Sequence, residues 1–158
     1  LTLIKTRKWP QYVHVAMNVD NIDDEKDWLN FKIMEATNIG VHFSNFIDVV
    51  DCDHFCILKP KNFTSEEWST TIKQLLSQEG KPYDDLFDLA SDKRLSCVEL
   101  VRVALQAVPN YSVEFANFEK QIKKVGNLTP QMYRDCEDFE VVLEIIRYHN
   151  IMDIINFT

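Results

Sequence analysis

The stretch from Leu95 to Pro109 constrains the fold of this chain more than any other part of the sequence. Ser96 is followed three residues later by Glu99, which is a capping-box pattern, so a helix is predicted with Ser96 as its N-cap and Cys97 in its first turn. Pro109 ends the helical pattern. Apolar side chains recur at helical spacing between these limits: Val98, Leu100, Val101, Ala104 and Leu105. The sequence therefore predicts a helix that packs one wide face on a core and carries a cysteine at its N-terminus.

Cys97 has two interpretations at this position. A helix N-terminus presents unpaired N–H groups and about half a positive charge, which favours an anion there. Such a cysteine can have a pKa well below the free value of about 8.5, and the thiolate is the nucleophilic form. The other interpretation is a small packing residue, because free cysteine is among the most buried residue types. Other parts of the sequence must show whether Cys97 is a nucleophile or a core residue.

Length, charge and cysteine content limit the class of protein. With 158 residues the chain is predicted to form one globular domain over residues 1–158, large enough for a real core. It holds 25 acidic against 17 basic residues and a net charge of −8, which argues against a nucleic-acid partner. No apolar run reaches membrane-spanning length. Four cysteines at irregular spacing do not form a disulfide framework.

The N-terminus gives no targeting signal. No secretory signal peptide is visible, and a cytoplasmic location is the default expectation. The chain does not begin with Met, which is compatible with a segment or leader that precedes it. The sequence indicates no particular oligomeric state.

Three strands are predicted in the first third of the chain. Tyr12–Val19 alternates, with apolar residues at every second position from Val13, which indicates a strand. An acidic turn over 20–27 separates it from a second strand, Phe31–Ala36. A third strand is predicted over Val49–Leu58, ended by a Lys-Pro pair.

Helices and a closing strand follow. Thr64 and Glu67 form a second capping box, which predicts a helix that ends at Gly80. Thr129-Pro130 has the N-cap and N1 chemistry of a short helix. Phe139–Ile146 is β-branched and apolar, which favours a last strand, with a helix as the alternative. The predicted fold class is α+β, with a mostly antiparallel sheet packed against the cysteine helix.

His14 and Glu35 are candidate partners of Cys97. A symmetric hairpin about the acidic turn places His14 opposite Glu35, with Cβ atoms about 4.5–5.5 Å apart. A carboxylate there would orient the imidazole and stabilise its protonated form. The backbone N–H of Cys97 would serve as an oxyanion donor. The alternative is a histidine on a sheet face satisfied by a neighbouring acid, and a one-residue slip would turn Glu35 to the other face.

Four short motifs occur in an order that resembles a known family: Tyr12–Met17, Ile33–Ala36, Gly80–Asp84 and Ser96–Val101. This order is similar to that of the YiiX-like permuted papain-fold amidases, which belong to the NlpC-type cysteine peptidase superfamily. In that family the fold is circularly permuted, so the histidine strand precedes the cysteine helix. The resemblance extends over nearly the whole chain, from Leu3 to Ile146.

The resemblance implies roles for individual residues. It makes Cys97 the nucleophile, His14 the base and Glu35 the polar third member, with Tyr83 lining the cleft, and it implies no metal or organic cofactor. The sequence departs from the family in one respect. A Gly-Asp strand usually precedes the histidine strand, and this chain opens at Leu1-Thr2-Leu3-Ile4 without that pair.

The implied activity is hydrolysis of an amide bond through a thioester acyl-enzyme. The substrate classes compatible with it are a peptide, a lipid amide and a protein conjugate. Transfer of the acyl group to an alcohol or amine, which would make an acyltransferase, is an alternative on the same fold. A catalytically silent binding module that keeps the fold and cleft is another, and the reactivity of Cys97 discriminates between an enzyme and such a module.

Cys52, His54 and Cys56 form a competing candidate site. On one strand these three metal-ligand types would share one face. Structural zinc sites normally gather four ligands in paired short spacings, and no second pair is present. The run also resembles the Asn-Cys-Glu-His-Phe box of the lecithin:retinol acyltransferase group. Pro60 follows where that group has a helix, so we interpret the run as a core strand.

The remaining histidines and the last cysteine have no partner pattern. His42 and His149 are predicted to be surface or packing residues. Cys136 lies between Asp135 and Glu137, whose negative charge is expected to raise its pKa and keep it inert.

Overall fold

The secondary structure comprises eight strands and six helices within the part of the chain that the computed structural model describes, residues 2–5, 10–20, 30–52, 54–86, 89, 93–148 and 151–154. In chain order the elements are β1 (Thr2–Lys5), β2 (Pro10–His14), β3 (Met17–Asn18), β4 (Lys32–Thr37), β5 (Gly40–Asn45), α1 (Phe46–Val50), β6 (His54–Pro60), α2 (Ser65–Leu76), α3 (Cys97–Leu105), α4 (Tyr111–Glu114), α5 (Ala116–Val125), α6 (Pro130–Asp135), β7 (Phe139–Tyr148) and β8 (Ile151–Ile154).

The elements divide between two compact units whose segments alternate along the chain. The first unit contains Leu1–His14, Val50–Phe63 and Asn110–Thr158, and the second contains Val15–Val49 and Thr64–Pro109. The prediction of a single domain over residues 1–158 stays a prediction. The predicted α+β class with antiparallel sheets is confirmed, because every paired strand in both units runs antiparallel to its neighbour.

The first unit is a five-stranded sheet with helices against it. The strand order is β2-β1-β6-β7-β8, and α6 contacts β2, β6 and β7. Aromatic rings fill the space around α5 and α6. The ring of Phe118 lies 4.5 Å from that of Tyr133 and meets Phe139 edge-on at 5.6 Å, measured between centroids. Such edge and tilted contacts are the favoured geometries for buried rings.

The second unit is a three-stranded sheet, β3-β4-β5, with α3 packed on β4 and α2. The buried face of α3 is the predicted apolar stripe, in which Leu100, Ala104 and Leu105 are completely buried. Both predicted capping boxes are confirmed: α3 begins at Cys97 behind the Ser96 N-cap, and α2 begins behind Thr64. These local signals are reliable because a cap satisfies backbone N–H groups within its own turn.

The predicted strand Tyr12–Val19 is wrong as a single element. It divides into β2 and β3, which belong to different sheets, with the break at Val15-Ala16. The predicted apolar face is also reversed in β2, where Tyr12 is buried and Val13 is 45% exposed. Tyrosine is tolerated in the core because its hydroxyl finds a buried partner in Glu144.

The predicted third strand, Val49–Leu58, is also corrected. Helix α1 extends through Val50 and the strand begins only at His54, as β6. The hairpin partner of β4 is β5, a strand that the sequence pattern did not predict. The tight turn between them ends at Gly40, which has a positive φ of 99°, a conformation that glycine adopts without strain. Most of the predicted acidic turn over 20–27, namely residues 21–27, lies outside the described residues.

Several other predictions hold. The short helix with Pro130 at its first position is α6, and the closing segment is the strand β7. Within the described ranges, no helix combines the length and apolar character needed to cross a membrane.

Candidate active site

The first turn of α3 is fixed by its own capping box. The backbone N–H of Ser96 donates to Oε2 of Glu99 at 2.8 Å, and the Ser96 hydroxyl donates to the same oxygen at 2.5 Å. Leu100 N–H closes the turn on the carbonyl of Ser96 at 3.0 Å. Cys97 follows the cap directly and its side chain is buried. The predicted placement of this cysteine at a helix N-terminus is therefore confirmed.

The loop that carries Tyr83 is held by three backbone hydrogen bonds in the second unit. The Val41 N–H donates to the Lys81 carbonyl at 2.8 Å, and the Gly80 N–H donates to the Val41 carbonyl at 2.9 Å. Beyond this, the Leu95 N–H donates to the carbonyl of Pro82 at 3.0 Å. A continuous set of backbone hydrogen bonds thus runs from β5 through the loop to the residue that precedes the helix cap.

Tyr83, the residue predicted to line the cleft, is partly buried. Burial is the main cause that raises the pKa of Tyr83, and the negative charges that Cys97, Asp85, Glu99 and Asp84 can carry raise it further. The phenol therefore stays protonated at neutral pH and can donate a hydrogen bond.

Glu35 lies on β4 in the same unit, with a largely buried side chain that is 13% exposed. The Ser44 hydroxyl donates to Oε1 of Glu35, and Nε2 of His42 lies 3.6 Å from the same oxygen. Nδ1 of His42 lies 2.9 Å from the Gly40 carbonyl. Because a carbonyl only accepts, Nδ1 carries the proton in this contact, and Nε2 pairs with Glu35 when the ring is protonated.

The predicted register between His14 and Glu35 is wrong. His14 is the last residue of β2 in the first unit, where its strand partner is Thr2. In the second unit Glu35 is paired with His42 of β5. On its other side, β4 pairs with β3 through Met17↔Met34, two residues away from the predicted alignment. The register differs because the chain leaves one sheet after His14 and enters another at Met17.

His42 and Ser44 are the site residues that sequence reasoning missed. Both lie on the unpredicted strand β5, opposite Glu35 and on its diagonal. The available signal was Asn38-Ile39-Gly40, a turn sequence directly after the predicted second strand. A hairpin about that turn aligns Glu35 with His42.

The prediction that Cys52, His54 and Cys56 lie on one strand is wrong. Cys52 precedes β6, and its thiol donates to the carbonyl of His54 at 3.2 Å. His54 and Cys56 are buried on β6, while Asp53 lies outside the described residues. All four cysteines are reduced thiols and none is in a disulfide. Among the residues that the structure describes, no three His, Cys, Asp or Glu side chains group in a way that would hold a metal ion.

Cys56 belongs instead to a buried polar network in the first unit. Arg134 donates to both oxygens of Glu144, from Nε at 3.1 Å and Nη2 at 2.9 Å, and the Tyr12 hydroxyl donates to Oε1 at 2.5 Å. Burial acts to raise the pKa of Glu144, but these donors outweigh it and lower the pKa below its ordinary value. Burial and the Glu144 charge raise the pKa of Cys56 to about 12.

Cys136 is protonated for a related reason. Burial raises the pKa of its thiol to about 11, and the charges of Asp138 and Glu137 add to the effect. The predicted direction is confirmed, although burial rather than charge is the main cause. Cys56 and Cys136 are therefore poor nucleophiles at neutral pH.

Comparison with known proteins shows a likeness at the level of structure. No protein-family model matches the chain, and no curated protein matches it. The solved structure of the metalloprotein YiiX from Escherichia coli O157:H7 matches with a TM-score of 0.62 and 19% sequence identity, over 83% of this chain and 82% of that one. At this identity the likeness concerns architecture alone, and the chain has a YiiX-like fold.

Proposed function

We propose that this protein is a cysteine-dependent hydrolase of amide bonds, with Cys97 as the nucleophile, His14 as the base and Glu35 as the residue that orients the imidazole. The observation that carries the proposal is the place of Cys97 in the first turn of α3, directly behind the Ser96 N-cap. The YiiX-like fold supports it, since the family resemblance assigns these roles to the matching residues.

The helix start suits a thiolate nucleophile. The first N–H groups of a helix have no partner inside the helix, and their dipoles favour negative charge. The backbone N–H of Cys97 is one of these groups, and we assign it to the oxyanion that forms during attack. The capping box holds the turn rigid, so the donor needs little reorganisation when charge develops.

The proposed reaction has two steps. The Cys97 thiolate attacks the carbonyl carbon of the amide, the C–N bond breaks, and protonated His14 gives its proton to the leaving amine. A thioester remains on Cys97. His14 then takes a proton from water, which attacks the thioester carbon, and the carboxylic acid leaves while the thiolate is regenerated. Glu35 stabilises the imidazolium in both steps, and Tyr83 lines the substrate cleft.

No step is assigned to a metal. YiiX is described as a metalloprotein, but within the described ranges the side chains do not provide a three-residue metal group. The proposed chemistry is complete with the thiol, the imidazole and water. An acyltransferase would differ only in the second step, where an alcohol or amine replaces water.

The first experiment is the pH dependence of iodoacetamide labelling, with the labelled cysteine assigned by mass spectrometry. We expect rapid labelling of Cys97 well below pH 8 and a marked slowing in His14→Ala, because the ion pair with the imidazolium would be lost. Val13→Ala changes an exposed neighbour on the same strand and serves as the control. Cys56 and Cys136 are internal references that should stay unlabelled in the folded protein.

The second experiment detects the acyl-enzyme with p-nitrophenyl acetate. We expect release of p-nitrophenolate and transient acetylation of Cys97, both lost in Cys97→Ala. Transfer of the acetyl group to an added alcohol or amine in preference to water, at an acceptor concentration that does not react with the ester in the absence of enzyme, would favour an acyltransferase. If Cys97 reacts as an ordinary thiol and His14→Ala changes nothing, the enzyme proposal is wrong and a binding module becomes the better interpretation.

A further inference from the structure

Oε1 of Glu35 has two neighbours on β5. The Ser44 hydroxyl donates a hydrogen bond to it, and Nε2 of His42 lies 3.6 Å from it. The strand register explains why. His42 is directly opposite Glu35, and Ser44 is two residues further along β5, so all three side chains point to the same face of the sheet.

A largely buried carboxylate needs such partners. Removing it from water is costly unless hydrogen bonds replace the lost hydration. The Ser44 hydroxyl on Oε1 restrains rotation of the carboxylate, because rotation away from Ser44 would break this hydrogen bond. Ser44 and His42 therefore hold the Glu35 side chain in one orientation.

His42 is itself fixed. Its Nδ1–H donates to the carbonyl of Gly40, the residue that closes the hairpin turn. This bond sets the ring orientation and turns Nε2 toward Glu35. Glu35 is thus held by His42 and Ser44, which follow it in the hairpin and belong to the same unit.

We propose that Ser44 and His42 are positioning residues, which hold Glu35 in the orientation that its catalytic role requires. This inference rests on the proposed function, because it assigns Ser44 and His42 to the support of the orienting carboxylate. Neither residue touches the reacting atoms. Their effect passes through Glu35.

An isosteric pair of variants tests Ser44. Ser44→Thr keeps the hydroxyl and Ser44→Val replaces it with a methyl group of the same shape, and both β-branched residues suit a strand. We expect Ser44→Val to slow Cys97 labelling at pH 7 and p-nitrophenyl acetate turnover by about tenfold, as for a lost charge-assisted hydrogen bond. Ser44→Thr should retain at least half of the wild-type rate. Thermal unfolding of both variants shows whether the folds are equally stable.

A double-mutant cycle tests whether the effect passes through Glu35. Glu35→Gln should slow the reaction, and adding Ser44→Val to Glu35→Gln should cause little further loss, because the group being positioned is already changed. Replacement of His42 completes the series. We expect His42→Phe to slow the reaction and His42→Gln, which keeps an N–H donor, to recover part of the rate.

The outcomes separate the two proposals. The positioning role would be overturned if Ser44→Val and Ser44→Thr reacted at equal rates. It would also be overturned if Ser44→Val slowed the reaction by the same factor in the wild type and in Glu35→Gln. Neither result would affect the roles proposed for Cys97 and His14. Loss of activity in His42→Phe with no effect of His14→Ala would also overturn the positioning role, since His42 would then be the base. If Cys97 is unreactive in the wild type, both proposals fall together.

Discussion

A Cβ atom placed on Gly40 would lie only 2.6 Å from the carbonyl oxygen of Lys81. This approach is closer than real Cβ atoms make, and the obstructing atom belongs to the backbone rather than to a flexible side chain. Gly40 therefore allows β5 to meet the loop that continues to Pro82 and, through its hydrogen bond with Leu95, to the start of α3.

Gly40→Ala should both destabilise the protein and slow the reaction of Cys97. The positive φ alone costs about 1 kcal/mol for a residue with a Cβ, and the contact with Lys81 should raise the loss in free energy of unfolding to about 2–4 kcal/mol. Gly126→Ala is the matched control, because Gly126 also has a positive φ but has open space around its Cα. Denaturant unfolding measures the difference, and equal losses in the two variants would contradict the contact with Lys81.

The capping residue Ser96 should matter for both stability and reactivity. Ser96→Ala removes the hydroxyl bond to Glu99, and we expect a loss of about 1 kcal/mol in the free energy of unfolding together with slower labelling of Cys97. Thr64→Ala removes the equivalent cap of α2 at an exposed position. Thr64→Ala should lower the free energy of unfolding by a similar amount and leave the labelling rate of Cys97 unchanged. A parallel loss of reactivity in both variants would point to general loosening rather than to the first turn of α3.

Glu144 should contribute far more to stability than another glutamate on the same strand. Glu144→Gln removes the charge that Arg134 binds with two hydrogen bonds at a largely buried position, and we expect a loss of about 2 kcal/mol. Glu140→Gln removes an exposed ion pair with Lys59, which should cost less than about 0.5 kcal/mol. Urea unfolding of both variants at neutral pH measures the two losses in free energy of unfolding. Equal losses would contradict this prediction.

The contribution of Glu144 should depend on pH in a defined direction. Its pKa in the folded protein lies below the ordinary value of 4.5, so its stabilising effect is complete above that value and disappears as the pH falls through the folded pKa. The difference in free energy of unfolding between wild type and Glu144→Gln should therefore be constant from pH 6 to 8 and shrink below about pH 4.5. Chemical unfolding at a series of pH values measures it, and a difference that grows on acidification would have the wrong sign.

The sequence by itself determined the parts of this protein that depend on short-range chemistry. Ser96 and Glu99 are three residues apart, so their capping box, the start of α3 and the position of Cys97 follow from local sequence. The same applies to Thr64 in α2 and to Pro130 in α6. These signals are readable because each cap satisfies hydrogen bonds inside its own turn.

Only the tertiary structure decided which strands meet. A strand pattern states which face is apolar but not which partner lies beside it, so the sequence did not show that the chain changes sheets after His14 or that Glu35 aligns with His42. The hydroxyl of Tyr12 donates a hydrogen bond to Glu144, which lies 132 positions away in the sequence. No local sequence pattern predicts such a contact. Long-range pairing depends on how all the elements share the available buried surface, and that is a property of the whole fold.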